Sequence, residues 1–410
     1  MSKITTDLIH HPYTPPAGFS APQPGVYKAS TVIFPTVAAM RARNWKTKTG
    51  YTYGLHGTPT SFTLEERIAT LEGGKHCLLV PSGLAAIASV NMALLKAGDE
   101  VLLPDNVYGP SKALAEGELK NWGIAHQLYD PMDPQDLHAR ISTRTRLVWL
   151  EAPGSVTMEF GPLEALAAVC RQQGVTTALD NTWGAGLAFN GFDAGADIVV
   201  QALTKYPSGG GDVLMGSVVT RDDALHQQIK LCNMRVGWGV GINDVETVLR
   251  SLPSIALRYR AHDLAARQLA RWLQGRPEIA QVLHPALAGS PGHEHWRALC
   301  DPTGDAAGDD GNGGLEYGNG GLAAGLFSVV FQESFSMAQV DAFCDALRLF
   351  KLGYSWGGQV SLVVPYDIPL MRSAALGTWK HKGVLVRFSI GLEAVEDLQA
   401  DLAQALGTLG

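Results

Sequence analysis

Residues 175–205, VTTALDNTWGAGLAFNGFDAGADIVVQALTK, contain two short apolar runs, TTALD and DIVVQALT, and each leads into a residue foreign to a core, Asp180 and Lys205. Apolar runs of this length, rich in Val, Ile and Thr and bounded by Gly and Asp, read as buried strands. The 25 residues between Asp180 and Lys205 match one step from strand through connection to strand. Upstream the same rhythm recurs. HCLLVPSG (76–83), DEVLLPD (99–105), AHQLYD (125–130) and RLVWLEAP (146–153) alternate with helical patterns such as LAAIASVNMALLKAG (84–98) and PLEALAAVCRQQG (162–174). Such alternation predicts an α/β domain around a mostly parallel sheet.

In open α/β sheets, ligands gather beyond the carboxyl ends of the strands. The residues to inspect are therefore Ser82–Gly83, Tyr108, Asp180 and Thr204–Lys205. Most lysines are solvated surface charges, and an Asp before Asn-Thr is by itself as much a helix cap as a functional group. Together they fit one cofactor. A carboxylate can hold the proton of a pyridinium nitrogen while a lysine binds the other end of the same ring covalently. In LLVPSGLAAIA the chain passes from strand into helix, and the free N–H groups at Gly83 and Leu84 suit a phosphate. Tyr108, in PDNVYGPS, can stack on a ring.

The chain has 410 residues, 46% of them hydrophobic and 17% charged, enough for more than one domain. The predicted organisation is an arm over 1–59, a large cofactor-binding domain over 60–255, and a smaller α+β domain over 256–410. The last carries a Gly-rich acidic insertion near 301–321. TSFTLEERIATLEGG (60–74) predicts a capped helix with Glu65 and Glu66 in its early turns, where the helix dipole favours anions. A net charge of −7 gives no basic face for nucleic acid or anionic lipid. The polar, proline-bearing N-terminus is not a secretory signal, and no stretch is long and apolar enough to span a bilayer. Five scattered cysteines without a CxxC pair fit a reducing compartment, so a cytoplasmic enzyme is expected. The histidine pairs His10–His11 and His293/His295 lack further ligands at suitable spacing, and no metal is expected.

The set YGLHGTPTSFTLEERIATLEGG, PSGLAAI, NVYGPS, LEAPGSVTMEF, LDNTWGAG, QALTKY, YSWGGQVSL and VRFSIGLEAVEDLQADL resembles, in order and spacing, the Cys/Met-metabolism group of pyridoxal-phosphate enzymes, over about residues 25–408. The resemblance implies the fold-type I architecture, a mostly parallel sheet with helices on both faces. It also implies a homotetramer whose active sites are shared between subunits. Lys205 is implied to bind pyridoxal 5'-phosphate, Asp180 to hold the ring nitrogen and Tyr108 to stack. Tyr53 from the neighbouring subunit, Gly83, Leu84 and Thr204 are implied to hold phosphate. Arg387 corresponds to the arginine that grips the substrate carboxylate, with Tyr53, Ser355 and Trp356 lining the same pocket.

LEAPGSVTME, NTWGAG, HPALAGSPGHEHW and YSWGG resemble the carbon–sulfur β-lyases of the group. The expected reaction is cleavage of a thioether amino acid such as L-cystathionine. The γ-lyases and γ-synthases more usually have Asn-Pro where Ser155-Val156 stand, and Leu at Trp356. They and the sulfhydrylases are the nearest alternative, and a non-catalytic cofactor-binding regulator is the remote one. Departures from the group's pattern are Leu55 for a phosphate arginine, Ala202 for a Ser, Gly209-Gly210 for Gly-His, and Val360 for a Glu.

Overall fold

A computed structural model describes residues 6, 18, 20–302 and 321–409; His10, His11 and most of the Gly-rich stretch 301–321 lie outside it. Seven strands form the larger sheet: β1 His76–Val80, β2 Glu100–Pro104, β3 Ala125–Tyr129, β4 Thr145–Glu151, β5 Thr176–Asp180, β6 Ile198–Ala202 and β7 Gly216–Thr220. Their order is β1-β7-β6-β5-β4-β2-β3, and β7 alone runs against the rest. Successive side chains feed different cores. Ile198 and Val200 of β6 join the cluster packed by the Gly83–Leu94 helix, whereas Val199 joins the cluster packed by the Pro59–Glu72 and Leu163–Gln172 helices. Burial on both faces explains why these strands read as unbroken apolar runs. Each fully buried Val or Ile stabilises the sheet by ~1.5–3 kcal/mol.

The second sheet has five strands, β8 Ile279–Leu283, β9 Leu326–Phe331, β10 Lys351–Leu352, β11 Leu362–Tyr366 and β12 Leu385–Ser389, in the order β10-β11-β12-β9-β8. It is antiparallel apart from the short β10–β11 pair. On β12, Val386 and Phe388 point into a core shared with the Ile255–Gln274, Met337–Ala346 and Val395–Leu406 helices. Arg387 projects from the opposite face, paired with Val364 of β11 and Ser328 of β9. Ser328 in turn donates to the carbonyl of Val156, 2.5 Å away, and so joins this sheet to the loop after β4.

One sequence expectation is corrected. The helix begins at Pro59, with Thr58 as its cap and Ser61 completing a capping box, so Glu65 and Glu66 lie beyond its first turn. They pair with Lys48 instead, at 3.0 and 2.6 Å. In the arm, the short helix Val37–Arg41 buries none of its residues, and Ile33 is 92% exposed.

Candidate active site

Lys205, Asp180 and Glu151 come together because β4, β5 and β6 are parallel neighbours that end at one level: Glu151 is registered with Asp180, and Asp180 with Val200. The Asp180 carboxylate accepts from the backbone N–H and the hydroxyl of Thr182, at 3.0 and 2.5 Å. That hydroxyl also accepts from the N–H of Ala202, pinning Asp180 to the strand that delivers the lysine. Burial pushes the Asp180 carboxyl above its ordinary range, while Lys205 and the donors of Thr182 oppose the shift. Glu151 is pushed up too, first by burial and then by the Asp180 charge. Two buried carboxyls side by side, with Asp180 acting on the lysine, form an acidic end to the site, suited to a cationic ring nitrogen.

The lysine amine is held from the loop between β10 and β11. Its Nζ donates to Ser355 Oγ at 3.0 Å and lies 5.2 Å from the centre of the Trp356 ring. Burial, joined by the Arg387 guanidinium, lowers its pKa to about 8 against the pull of Asp180. Such an amine can lose its proton near neutrality, as a nucleophile or a base must. Gly357 lets the Ser355–Trp356 turn approach: its φ is +75°, and a Cβ there would stand 3.0 Å from the Tyr206 nitrogen and 3.2 Å from the Lys205 carbonyl carbon.

Arg387 closes the far side. Its Nη2 donates to the Tyr354 carbonyl at 3.1 Å, Tyr366 lies 5.6 Å from the guanidinium, and Nε is buried without a hydrogen-bond partner. A buried guanidinium with an orphan donor is incomplete until an anion arrives. Tyr108 stands over the same space, half-exposed. Its backbone N–H donates to Glu151 at 2.9 Å, and Glu151 also receives the N–H and hydroxyl of Ser155 at 3.0 and 2.6 Å.

The start of the Gly83–Leu94 helix offers free amides beside β6. Ser82 caps the Gly83–Leu94 helix by accepting from the N–H of Ala85 at 3.0 Å, which leaves the Gly83 and Leu84 amides outside the helix ladder. A Cβ on Gly83 would lie 2.6 Å from the Cβ of Ala202, so glycine and the alanine in place of serine together bring the helix end down onto β6. Thr204 is held by Met215, whose N–H donates to its Oγ1 at 3.1 Å. Tyr53 is not in this cluster. It lines a separate cavity of about 360 Å³ with Leu55, His56, His226, Lys230 and Trp238. Gly209, the glycine kept from the group's Gly-His, sits where a Cβ would meet the Arg258 guanidinium at 2.1 Å; at Gly210, which replaces the His, a Cβ would meet the Asp212 carboxylate at 2.4 Å.

Sequence reasoning missed Glu151 and Tyr366. Glu151 ends the run LVWLE just as Asp180 ends TTALD, and that parallel was the available signal. Tyr366 carried none, because only the β11–β12 pairing brings its ring to Arg387.

A covalent anchor, a cationic nitrogen and a phosphate on one flat ring would use the lysine, the acidic end and the helix terminus at once, and Arg387, held by backbone carbonyls and not by an acid, would remain for a carboxylate. Sites of this kind on this sheet define the fold-type I pyridoxal-phosphate enzymes, and the residues present fit that cofactor. The chain belongs to the family of Cys/Met metabolism PLP-dependent enzymes, which it matches over residues 5–305 and 318–407. It is 34% identical over 384 residues to cystathionine β-lyase of Salmonella typhimurium, covering 92% of this chain and 91% of that protein. It is 35% identical over 416 residues to cystathionine β-lyase of Bordetella avium, covering 99% and 98%. The crystal structure of cystathionine γ-synthase from Xanthomonas oryzae pv. oryzae superposes with a TM-score of 0.82 at 29% identity, covering 96% of this chain and 95% of that one.

Proposed function

We propose that this protein is a carbon–sulfur β-lyase that converts L-cystathionine and water to homocysteine, pyruvate and ammonia. The observation that carries the reading is the Lys205 amine, brought to about 8 between Asp180, Ser355 and Arg387. Pyridoxal phosphate supplies, when bound, an electron sink for the pair left as the Cα–H bond breaks. Lys205 would hold the cofactor, and its amine would take the Cα proton onto Nζ, steadied by Ser355 Oγ. Asp180 would keep the ring nitrogen protonated, and Tyr108 would cover the ring. Arg387 grips the α-carboxylate through the donor that is otherwise orphaned. Trp356 walls the pocket beside the lysine and excludes water until the thiolate has left Cβ.

The Gly83 and Leu84 amides and Thr204 take the phosphate, completed by Tyr53 of a neighbouring subunit in a homotetramer. Two observations support assembly: the apolar arm helix Val37–Arg41 has no buried side, and Tyr53 lies away from the lysine of its own chain. All five cysteines are free, in keeping with a cytoplasmic enzyme, and no helix among the described residues is long and apolar enough to cross a membrane.

The product assay tests the reading. With cystathionine, pyruvate is expected, whereas 2-oxobutyrate would make the enzyme a γ-lyase. Borohydride reduction is expected to fix the cofactor to the peptide bearing Lys205, and a label on another lysine would end the assignment.

A further inference from the structure

Arg372 lies between β11 and β12, its side chain 6% exposed, and touches none of the residues assigned to cofactor or substrate. Its guanidinium donates from Nε to Asp105 at 2.8 Å, from Nη1 to Glu159 at 2.8 Å and Thr157 at 3.0 Å, and from Nη2 to Thr378 at 2.7 Å. Asp105 also accepts from the Ser373 N–H at 2.8 Å and the Thr378 hydroxyl at 2.6 Å. Glu159 accepts from Asn106 at 3.1 Å and from the Thr157 hydroxyl. Lys112 adds a second cation 3.7 Å from Asp105, so two acids face two bases. Burial pushes the Asp105 carboxyl up, but Thr378, Arg372 and Ser373 more than offset it and leave it below its usual range.

The network ties three segments that each lead to the site. Asp105 stands three residues before Tyr108. Thr157 and Glu159 belong to the LEAPGSVTMEF motif, whose Ser155 N–H and hydroxyl bind Glu151. Arg372 stands six residues after Tyr366, the ring beside Arg387. A neutral buried network whose charged members are all paired adds little net stability and is costly to break at one member, so what it secures is geometry.

We propose that Arg372 is a positioning residue that sets the span between Tyr108 and the Tyr366–Arg387 pair, the slot for the amino-acid carboxylate. This rests on the roles proposed above for Tyr108 and Arg387. It does not rest on which bond is cleaved.

The test uses Arg372→Gln, Arg372→Lys and the milder Thr378→Val in the holoenzyme, with glycine as probe because it has no side chain to eliminate. In Arg372→Gln, glycine affinity, read from the visible absorbance of the bound cofactor, is expected to fall about tenfold or more, the effect of misplacing one charge-assisted contact. KM should rise in step, while kcat stays within about threefold. Visible circular dichroism should change as Tyr108 shifts over the ring. In the cofactor-free protein, trypsin should cut faster after Lys380 or Lys382, in the released segment. Arg372→Lys should not restore affinity, since one ammonium cannot serve Asp105, Glu159 and Thr378 together. Unchanged glycine affinity in folded Arg372→Gln overturns the proposal, as does full rescue by lysine. If Arg372→Gln does not fold, Thr378→Val decides: weaker glycine binding supports the proposal and wild-type binding overturns it. Absence of pyruvate from the wild type would defeat the β-lyase reading and leave the glycine measurement standing.

Discussion

The Nζ of Lys205, just past β6, is hydrogen-bonded at 3.0 Å to the Oγ of Ser355, which lies in the connection between β10 and β11 of the other sheet and stands 150 residues further along the chain. The amine is thus held between the end of one sheet and a loop of the other, and its proton affinity reports on how that loop is seated.

In the cofactor-free protein, Lys205 should acylate with a midpoint near pH 8, where ordinary lysines follow a midpoint of about 10.4. Burial favours the neutral amine and so does the like charge of Arg387, so Arg387→Gln should move the midpoint upward. Mass spectrometry of the Lys205 peptide after pulses of acetic anhydride across pH reads both. A midpoint that stays put in the variant would mean that the guanidinium does not act on the amine.

Arg387→Gln should also raise KM for any amino-acid substrate by ~10–100-fold, the loss of a charge-assisted contact of about 1.5–3 kcal/mol. The visible absorbance of the resting enzyme should stay as it is, because the residue is proposed to meet substrate and not cofactor. Steady-state kinetics and a spectrum suffice. Wild-type KM would place the carboxylate elsewhere.

Gly83→Ala puts a Cβ 2.6 Å from the Ala202 Cβ and must lift the helix end from β6. Faster cofactor loss on dialysis is expected, at a cost in stability of ~1–3 kcal/mol for overpacking. Adding Ala202→Gly should recover part of it. Gly117→Ala, which meets nothing within 4 Å, is the control. Equal cofactor retention in both single variants would remove Gly83 from the phosphate end.

The pH dependence of stability should carry the mark of Glu151. Its folded pKa is raised to about 8, chiefly by burial. The folded state therefore holds a proton that the unfolded chain has lost, and stability falls as pH climbs through that window. Below about 6.5 the neutral buried histidines His226 and His284 give the opposite slope, and above about 8 the depressed Lys205 does so. The decline is expected between about pH 6.5 and 8 in cofactor-free protein, with a smaller share from Glu72, raised to about 7 by burial. Glu151→Gln should flatten it. Urea melts at closely spaced pH values measure this, and an unaltered slope would mean that Glu151 is ionised throughout.

The larger sheet and its strand-end residues were legible because burial on both faces leaves unbroken apolar runs, and any charge that ends such a run is conspicuous. Asp180 and Lys205 stood out that way. Arg372 did not, because its carboxylate partners Asp105 and Glu159 are 267 and 213 residues away and no local pattern announces them. The early-turn role given to Glu65 and Glu66 failed for a local reason: Thr58 with Ser61 caps the helix two residues sooner than the run from Thr60 suggested, and Lys48 claims both acids. The place of Tyr53 could not be read from one chain if its partners belong to another.

The ladder around β12 fixes more than a strand. Because Arg387 faces the site while Val386 and Phe388 face the core, a slip of one residue would send the guanidinium inward and a phenyl ring outward. β12 is paired on both sides, with β11 and with β9, so such a slip would have to undo two ladders at once. The aim of a single charge is thereby insured by backbone pairing that knows nothing of its chemistry. Within β12, one residue lost would leave a plausible sheet whose guanidinium no longer faces the site.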